Sequence, residues 1–169
     1  MENRRKRTAL EASLDEWYTS DGSRQKTLDD IVNGRAGFSL RTIDWLVTNY
    51  AARNPVIYTL NETGAVIDVN SMYKDVLRCF HKSGFDSFKR KGANPSDAAL
   101  RQRNFFRWAI QNGVVDYVVK NVKEIEKDMA AMRKRQKPMK RKQRSTEGDT
   151  TITSGSTIMD VPNFARIVW

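Results

Sequence analysis

The chain has 169 residues, 30 Lys or Arg against 20 Asp or Glu, and a formal net charge of +10, which fits one domain of ordinary size with room for tails. No apolar run approaches the ~18 residues of a membrane span, and Thr8-Ala9-Leu10-Glu11 after the basic Arg4 to Arg7 is no signal-peptide core. A single cysteine, Cys79, and a single histidine, His81, exclude an intrachain disulfide and a one-chain Cys/His zinc site, which needs about four ligands.

Residues 1–7 read as a basic arm, with Arg4, Arg5, Lys6 and Arg7 against Glu2. A short amphipathic helix is expected over 8–18, with Leu10, Leu14, Trp17 and Tyr18 about a turn apart. Residues 19–23 have loop composition. Thr27 then looks like an N-cap with Asp30 at capping-box distance, opening a helix that Gly34 closes. Ser39 caps the next helix, whose apolar positions Leu40, Ile43, Leu46, Val47 and Tyr50 have the spacing of a buried face. Trp45 lies off that stripe. Asn54-Pro55 ends the helix.

Two β-branched runs, 56–60 and 65–69, flank Asn61-Glu62-Thr63-Gly64 and predict a β-hairpin that must pack on helices. Ser71 is the expected cap of a helix with Tyr73, Val76, Leu77 and Phe80 on its buried side. An aromatic segment, Phe85 to Phe88, precedes Lys89-Arg90-Lys91. Ser96-Asp97 is expected to start a helix carrying Leu100, Phe105, Trp108 and Ala109, broken at Asn112-Gly113. The last helix has a heptad stripe of Val115, Val118, Val122, Ile125, Met129 and Met132. It is expected to stop at Pro138.

The run 133–144 holds eight Lys or Arg (Arg133, Lys134, Arg135, Lys137, Lys140, Arg141, Lys142 and Arg144) and no acid. Most of the net charge therefore sits at the extremities of a near-neutral body. Eight uncompensated cations repel one another, so an anionic partner is implied, either an acidic protein surface or phosphates. Residues 145–157 are rich in Ser, Thr and Gly, yet the chain finishes on Phe164, Ile167 and Trp169, an apolar tip that reads as an anchor. The expected organisation is thus a basic arm with short helices over 1–37, a helical body over 38–137 with the hairpin at 56–69, and an extended arm over 138–169. The fold class is mainly α, about six helices in a compact bundle with one hairpin and extended terminal arms.

The chemistry-bearing patterns are few. No phosphate-binding glycine loop, nucleophile elbow or His-Glu-x-x-His is present, so no cofactor, metal, catalytic residue or small-molecule substrate is expected. Cys79 and His81, two apart on a helix, do not face each other. The pairs Asp15-Glu16 and Asp29-Asp30 suit helix surfaces and first turns. Arg103 and Arg107 interleave with Phe105, Phe106 and Trp108 as in single-strand binders, although core aromatics with an arginine edge give the same pattern.

Three blocks, 38–50, 85–90 and 104–110 with Asp116-Tyr117, resemble a small basic protein of nucleocytoplasmic large DNA viruses, of the chlorella-virus and mimivirus groups. The resemblance spans residues 35–135 and departs at Ser87, where a proline is usual. It implies a structural, non-enzymatic minor capsid protein on the inner side of the virion shell, made in the host cytoplasm or viral factory. The implied partners are the major capsid protein and other minor capsid proteins. The expected contacts are Met129, Met132, the basic run and the Phe164–Trp169 tip. The alternative is a nucleic-acid-binding protein that packages or regulates viral DNA, with Lys89, Arg90, Lys91, Arg103 and Arg107 as further contacts.

Overall fold

The computed structural model describes residues 2–89, 92 and 94–144, with the side chains of 7–80, 84–89, 92 and 94–135. It is mainly helical with one antiparallel hairpin. The helices are α1 (Glu2–Thr19), α2 (Gly22–Val32), α3 (Leu40–Trp45), α4 (Ala51–Arg53), α5 (Val69–Gly84), α6 (Pro95–Gln111) and α7 (Val114–Arg144). A π-helical turn, Leu46–Tyr50, joins α3 to α4, so 40–53 is one helical stretch and the described residues hold six such stretches.

Of the N-terminal arm expected over 1–7, residues 2–7 are helical backbone, because α1 begins at Glu2. Its Arg7 is tied down: Nε donates to Glu11 Oε1 at 3.0 Å, Nη2 to Ser96 Oγ at 3.0 Å, and Nη1 pairs with Asp97 on α6. Leu14 and Tyr18 bury the other side of α1. Helix α2 starts earlier than Thr27 suggests. Asp21 is its cap, accepting from Ser23 N at 2.9 Å, while Thr27 lies inside the helix and donates to Ser23 O at 2.9 Å. Gly34 at φ +72° lets the chain turn away.

Ser39 caps α3 as expected, accepting from Thr42 N at 3.2 Å. At the π turn Ala51 N–H reaches back five residues to Leu46 O, and Thr48 Oγ1 donates to Asp44 O at 2.7 Å. Trp45, off the apolar stripe, is covered from far away in the chain. Its Nε1 donates to Asp128 Oδ2 at 2.8 Å and Arg53 stands over its ring.

Strand β1 (Ile57–Thr59) pairs antiparallel with β2 (Val66–Asp68) in the register Tyr58↔Ile67. One face, with Ile67 buried and Tyr58 half-buried, packs on the helices; Ile57 and Val66 on the other are exposed. Asp68, not Ser71, caps α5, accepting from Asn70 N at 3.1 Å and Ser71 N at 3.2 Å. Asn94 caps α6 with Pro95 in its first turn, two residues before the expected start. The core joins Leu14, Tyr18, Ile31, Ile43, Leu46, Val47, Phe85, Phe105, Phe106, Val114, Val118 and Ile125.

Helix α7 bends at Asn121, which has φ −119° and ψ 16°; its Nδ2 donates to Tyr117 O at 2.8 Å. The heptad stripe is core for the most part, with Val115, Val118, Ile125 and Met129 all buried. The stop expected at Pro138 does not occur, since the backbone stays helical to Arg144. Lys, Arg, Gln and Met dominate that stretch and are strong helix formers. Residues up to Arg133 form the compact body, and 134–169 form a separate unit. Of that unit only the helical backbone 134–144 and the exposed Lys134 and Arg135 are described.

Candidate functional site

The sequence-marked residues separate into those the body uses for itself and those it leaves over. Arg103 is used internally: Nη1 donates to Asp15 Oδ1 at 2.7 Å and its guanidinium stands 5.0 Å from the centre of the Tyr18 ring. Arg107 Nη1 donates to Ser13 Oγ at 2.8 Å, with its guanidinium over the Trp17 ring. Phe105, Phe106 and Trp108 are buried, and with Phe85 they form an edge-to-face and tilted aromatic cluster. Buried rings have no face to offer a base. The single-strand edge read from Arg103 and Arg107 is therefore the seam between α1 and α6. The other acidic pair is used likewise: Asp29 accepts from Gln25 and Asp30 from Arg35.

Ser87 is buried, and its placement shows what a hydroxyl does there. Its Oγ donates to Asp44 Oδ1 at 2.8 Å and its carbonyl accepts from Gln102 Nε2 at 2.9 Å. These bonds pin the aromatic segment between α3 and α6. Cys79 is exposed, and the side chain of His81 lies outside the described ones.

Met129, expected as a partner contact, is a core residue of its own chain at 8 % exposure. Its helix is locked there by Trp45 and Arg53 on Asp128 and by Thr42 on Glu126. Met132 is half-buried, whereas Arg133, Lys134 and Arg135 are exposed. Lys137, Lys140, Arg141, Lys142 and Arg144 continue on the helical backbone, side chains undescribed, and Lys89 is exposed. Arg90, Lys91, Phe164, Ile167 and Trp169 lie outside the described residues.

A second feature was not visible beforehand. A cleft of about 470 Å³ opens between the hairpin turn and the junction of α6 with α7. Leu60 and Ile110 line it together with Tyr58 and Tyr117, whose rings stack at 5.4 Å and 15°. Tyr58 Oη donates to Asn112 O at 2.7 Å. Burial, with the neighbouring Asp116 charge behind it, holds the Tyr58 phenol above its ordinary range, and burial raises Tyr117 too. Glu62, Asp116 and Lys120 stand on the rim, with no ion-pair partner among the described residues. Gly113 makes the junction. Its φ is +65°, and a Cβ there would lie 2.9 Å from Leu60 Cδ2. The Asn112-Gly113 break was legible as a helix stop, but nothing in it announced a cleft built from segments fifty residues apart.

No cluster of His, Cys, Asp or Glu among the described residues is arranged to hold a metal ion, and no described helix is long and apolar enough to cross a membrane. What the fold and its leftover charge define is a mainly helical protein with a strongly cationic helical end. The chain belongs to a family of unknown function (DUF7197), which matches residues 5–164. It is 30% identical over 151 residues to the uncharacterized protein L507 of Acanthamoeba polyphaga mimivirus, across 80% of this chain and 58% of that protein. The chain thus spans little more than half the length of that relative. The relationship supports the viral part of the resemblance read from the sequence and marks a viral protein of the large-DNA-virus type. No solved structure matches.

Proposed function

We propose that this chain is a structural, non-enzymatic protein of the virion, a minor capsid component held beneath the shell by its basic helical end. One observation carries the reading: eight cations within 133–144, without an acid, follow a body in which several arginines are paired with its own carboxylates. Such a segment recognises an acidic neighbour. Many copies on one shell add avidity to contacts that are individually weak. The Phe164–Trp169 tip adds a second, apolar attachment in this reading.

Nucleic acid is the competing partner for the same segment. That reading has lost its stacking edge, since Arg103 and Arg107 are engaged within the body. It keeps phosphate tracking by the basic run, for which log K on DNA falls with a slope of about −7 per log salt if all eight charges are neutralised. Stepwise disassembly of purified particles of the encoding virus separates the two. The chain is expected to stay with shell fractions after nuclease treatment. Its absence from particles, or its release with the digested genome, overturns the proposal.

A further inference from the structure

Several arginines of the body are paired with its own carboxylates. Arg7 is paired with Glu11 and Asp97, Arg35 with Asp30, Arg53 with Asp128 and Arg103 with Asp15. Two carboxylates with no ion-pair partner among the described residues, Glu62 and Asp116, stand on the rim of one cleft, where Lys120 is the only lining cation among them. The cleft also offers what a long cationic side chain uses. Leu60 and Ile110 suit an alkyl stem, and tyrosine rings attract the charged head. The complementary charge is carried by the same chain: a run of eight Lys or Arg without an acid over 133–144.

We infer that the cleft between the hairpin and the α6–α7 junction receives Lys and Arg side chains from the 133–144 segment of a second copy of this chain. This rests on the reading of that segment as a protein-docking element, and it names the acidic surface. The contact is heterologous, since cleft and segment are different surfaces. Each copy therefore keeps one free cleft and one free segment. Repetition gives a ring or an open row of copies, an arrangement suited to lining a shell.

Sedimentation velocity of the full chain tests the inference, with two variants. One neutralises the cleft by Glu62→Gln and Asp116→Asn. The other replaces the eight Lys and Arg of 133–144 by Gln. Both acids are exposed, so the cleft variant is expected to keep its circular dichroism and melting temperature. The native chain is expected to associate with rising concentration at low salt and to dissociate as the screening length falls from about 10 Å at 0.1 M to about 3 Å at 1 M. Each variant alone associates at least about tenfold more weakly. An equal mixture of the two forms dimers and nothing larger, because only one complementary pair of surfaces remains. A native chain that stays monomeric overturns the inference. So does a cleft variant that associates like the native chain, or a mixture that fails to dimerise. A chain that fractionates with the shell yet stays monomeric in solution leaves the virion reading standing and removes this one alone.

Discussion

Replacing Gly113 by alanine tests the geometry on which the cleft depends. Two costs arise. The residue sits at φ +65°, and an L-residue in the left-handed region costs roughly 1–2 kcal/mol. A Cβ would also meet Leu60 Cδ2 at 2.9 Å and Tyr58 Cε2 at 3.6 Å. The first of these is too close, so the Leu60 side chain must shift, and overpacking of this kind costs about 1–3 kcal/mol. Leu60 Cδ2 is the far end of a flexible side chain, which favours the lower part of that range. Gly34 supplies the control: its φ is +72° and nothing lies within 4 Å of an added Cβ. Gly34→Ala should therefore show the backbone cost alone, about 1 kcal/mol, and Gly113→Ala about 2–3 kcal/mol. Urea unfolding with a shared slope gives both values. Equal losses at the two positions would refute the close packing of the hairpin on the α6–α7 junction, and with it the shape of the cleft.

Other parts of the structure make separate predictions. Leu14 is fully buried, so Leu14→Ala should cost about 2–5 kcal/mol in denaturant unfolding; a loss under 1 kcal/mol would mean that α1 is no part of the core. Asp128→Ala removes both the Trp45 Nε1 bond and the Arg53 pair, for about 1–2 kcal/mol, whereas Arg53→Ala, at a partly exposed pair, should cost under about 1 kcal/mol. The reverse order in thermal melts would show that Arg53, not the indole, is the important partner. Burial raises the Tyr18 and Tyr58 phenols above their ordinary range. The neutral form is favoured by folding, so that stabilisation is complete below pH ~10 and is lost as pH rises further. Tyrosinate absorbance and circular dichroism followed together should show these two ionising only as the fold opens, and ionisation of all five tyrosines in an intact fold would contradict their burial.

The elements that were legible are those whose signal is local. Ser39 and the spacing from Leu40 to Tyr50 gave the start and face of the third helical stretch, and Asn61 to Gly64 gave the hairpin turn. Cap choice was less legible because neighbouring residues compete for the role. Asp21 and Thr27 both suit an N-cap, and Gly22 after Asp21 disguises a helix start as a loop; Asp68 and Ser71 compete in the same way. Tertiary partners were not legible at all. The residue that covers Trp45 is 83 positions away, and the cleft joins the hairpin to a helix junction. The Arg103–Trp108 run shows the limit most clearly. Its composition favours a core seam while leaving a nucleic-acid edge open, and the burial of its rings is a tertiary fact that the composition does not carry.

The same competition of local effects bears on the basic end. A helix of about a dozen residues is marginal in water by itself. Within 133–144 the sequence adds like-charge positions at i,i+4 (Arg133 with Lys137, Lys137 with Arg141, Lys140 with Arg144), at about 0.2–0.5 kcal/mol each. Pro138 adds about 3 kcal/mol. Together these oppose the helix by roughly 4 kcal/mol, of which only the repulsive part responds to salt. Raising salt should thus increase helicity in this stretch slightly, and Pro138→Ala should increase it much more. An acidic partner acts on the repulsive part and adds contacts of its own, so binding should stabilise the helical state of this segment. Circular dichroism with polyglutamate as the acidic probe reads this directly: helicity should rise on mixing at low salt and fall back at high salt. If ellipticity is the same with and without the probe, the helical end does not depend on charge neutralisation, and the case for an anionic partner has to rest on binding alone.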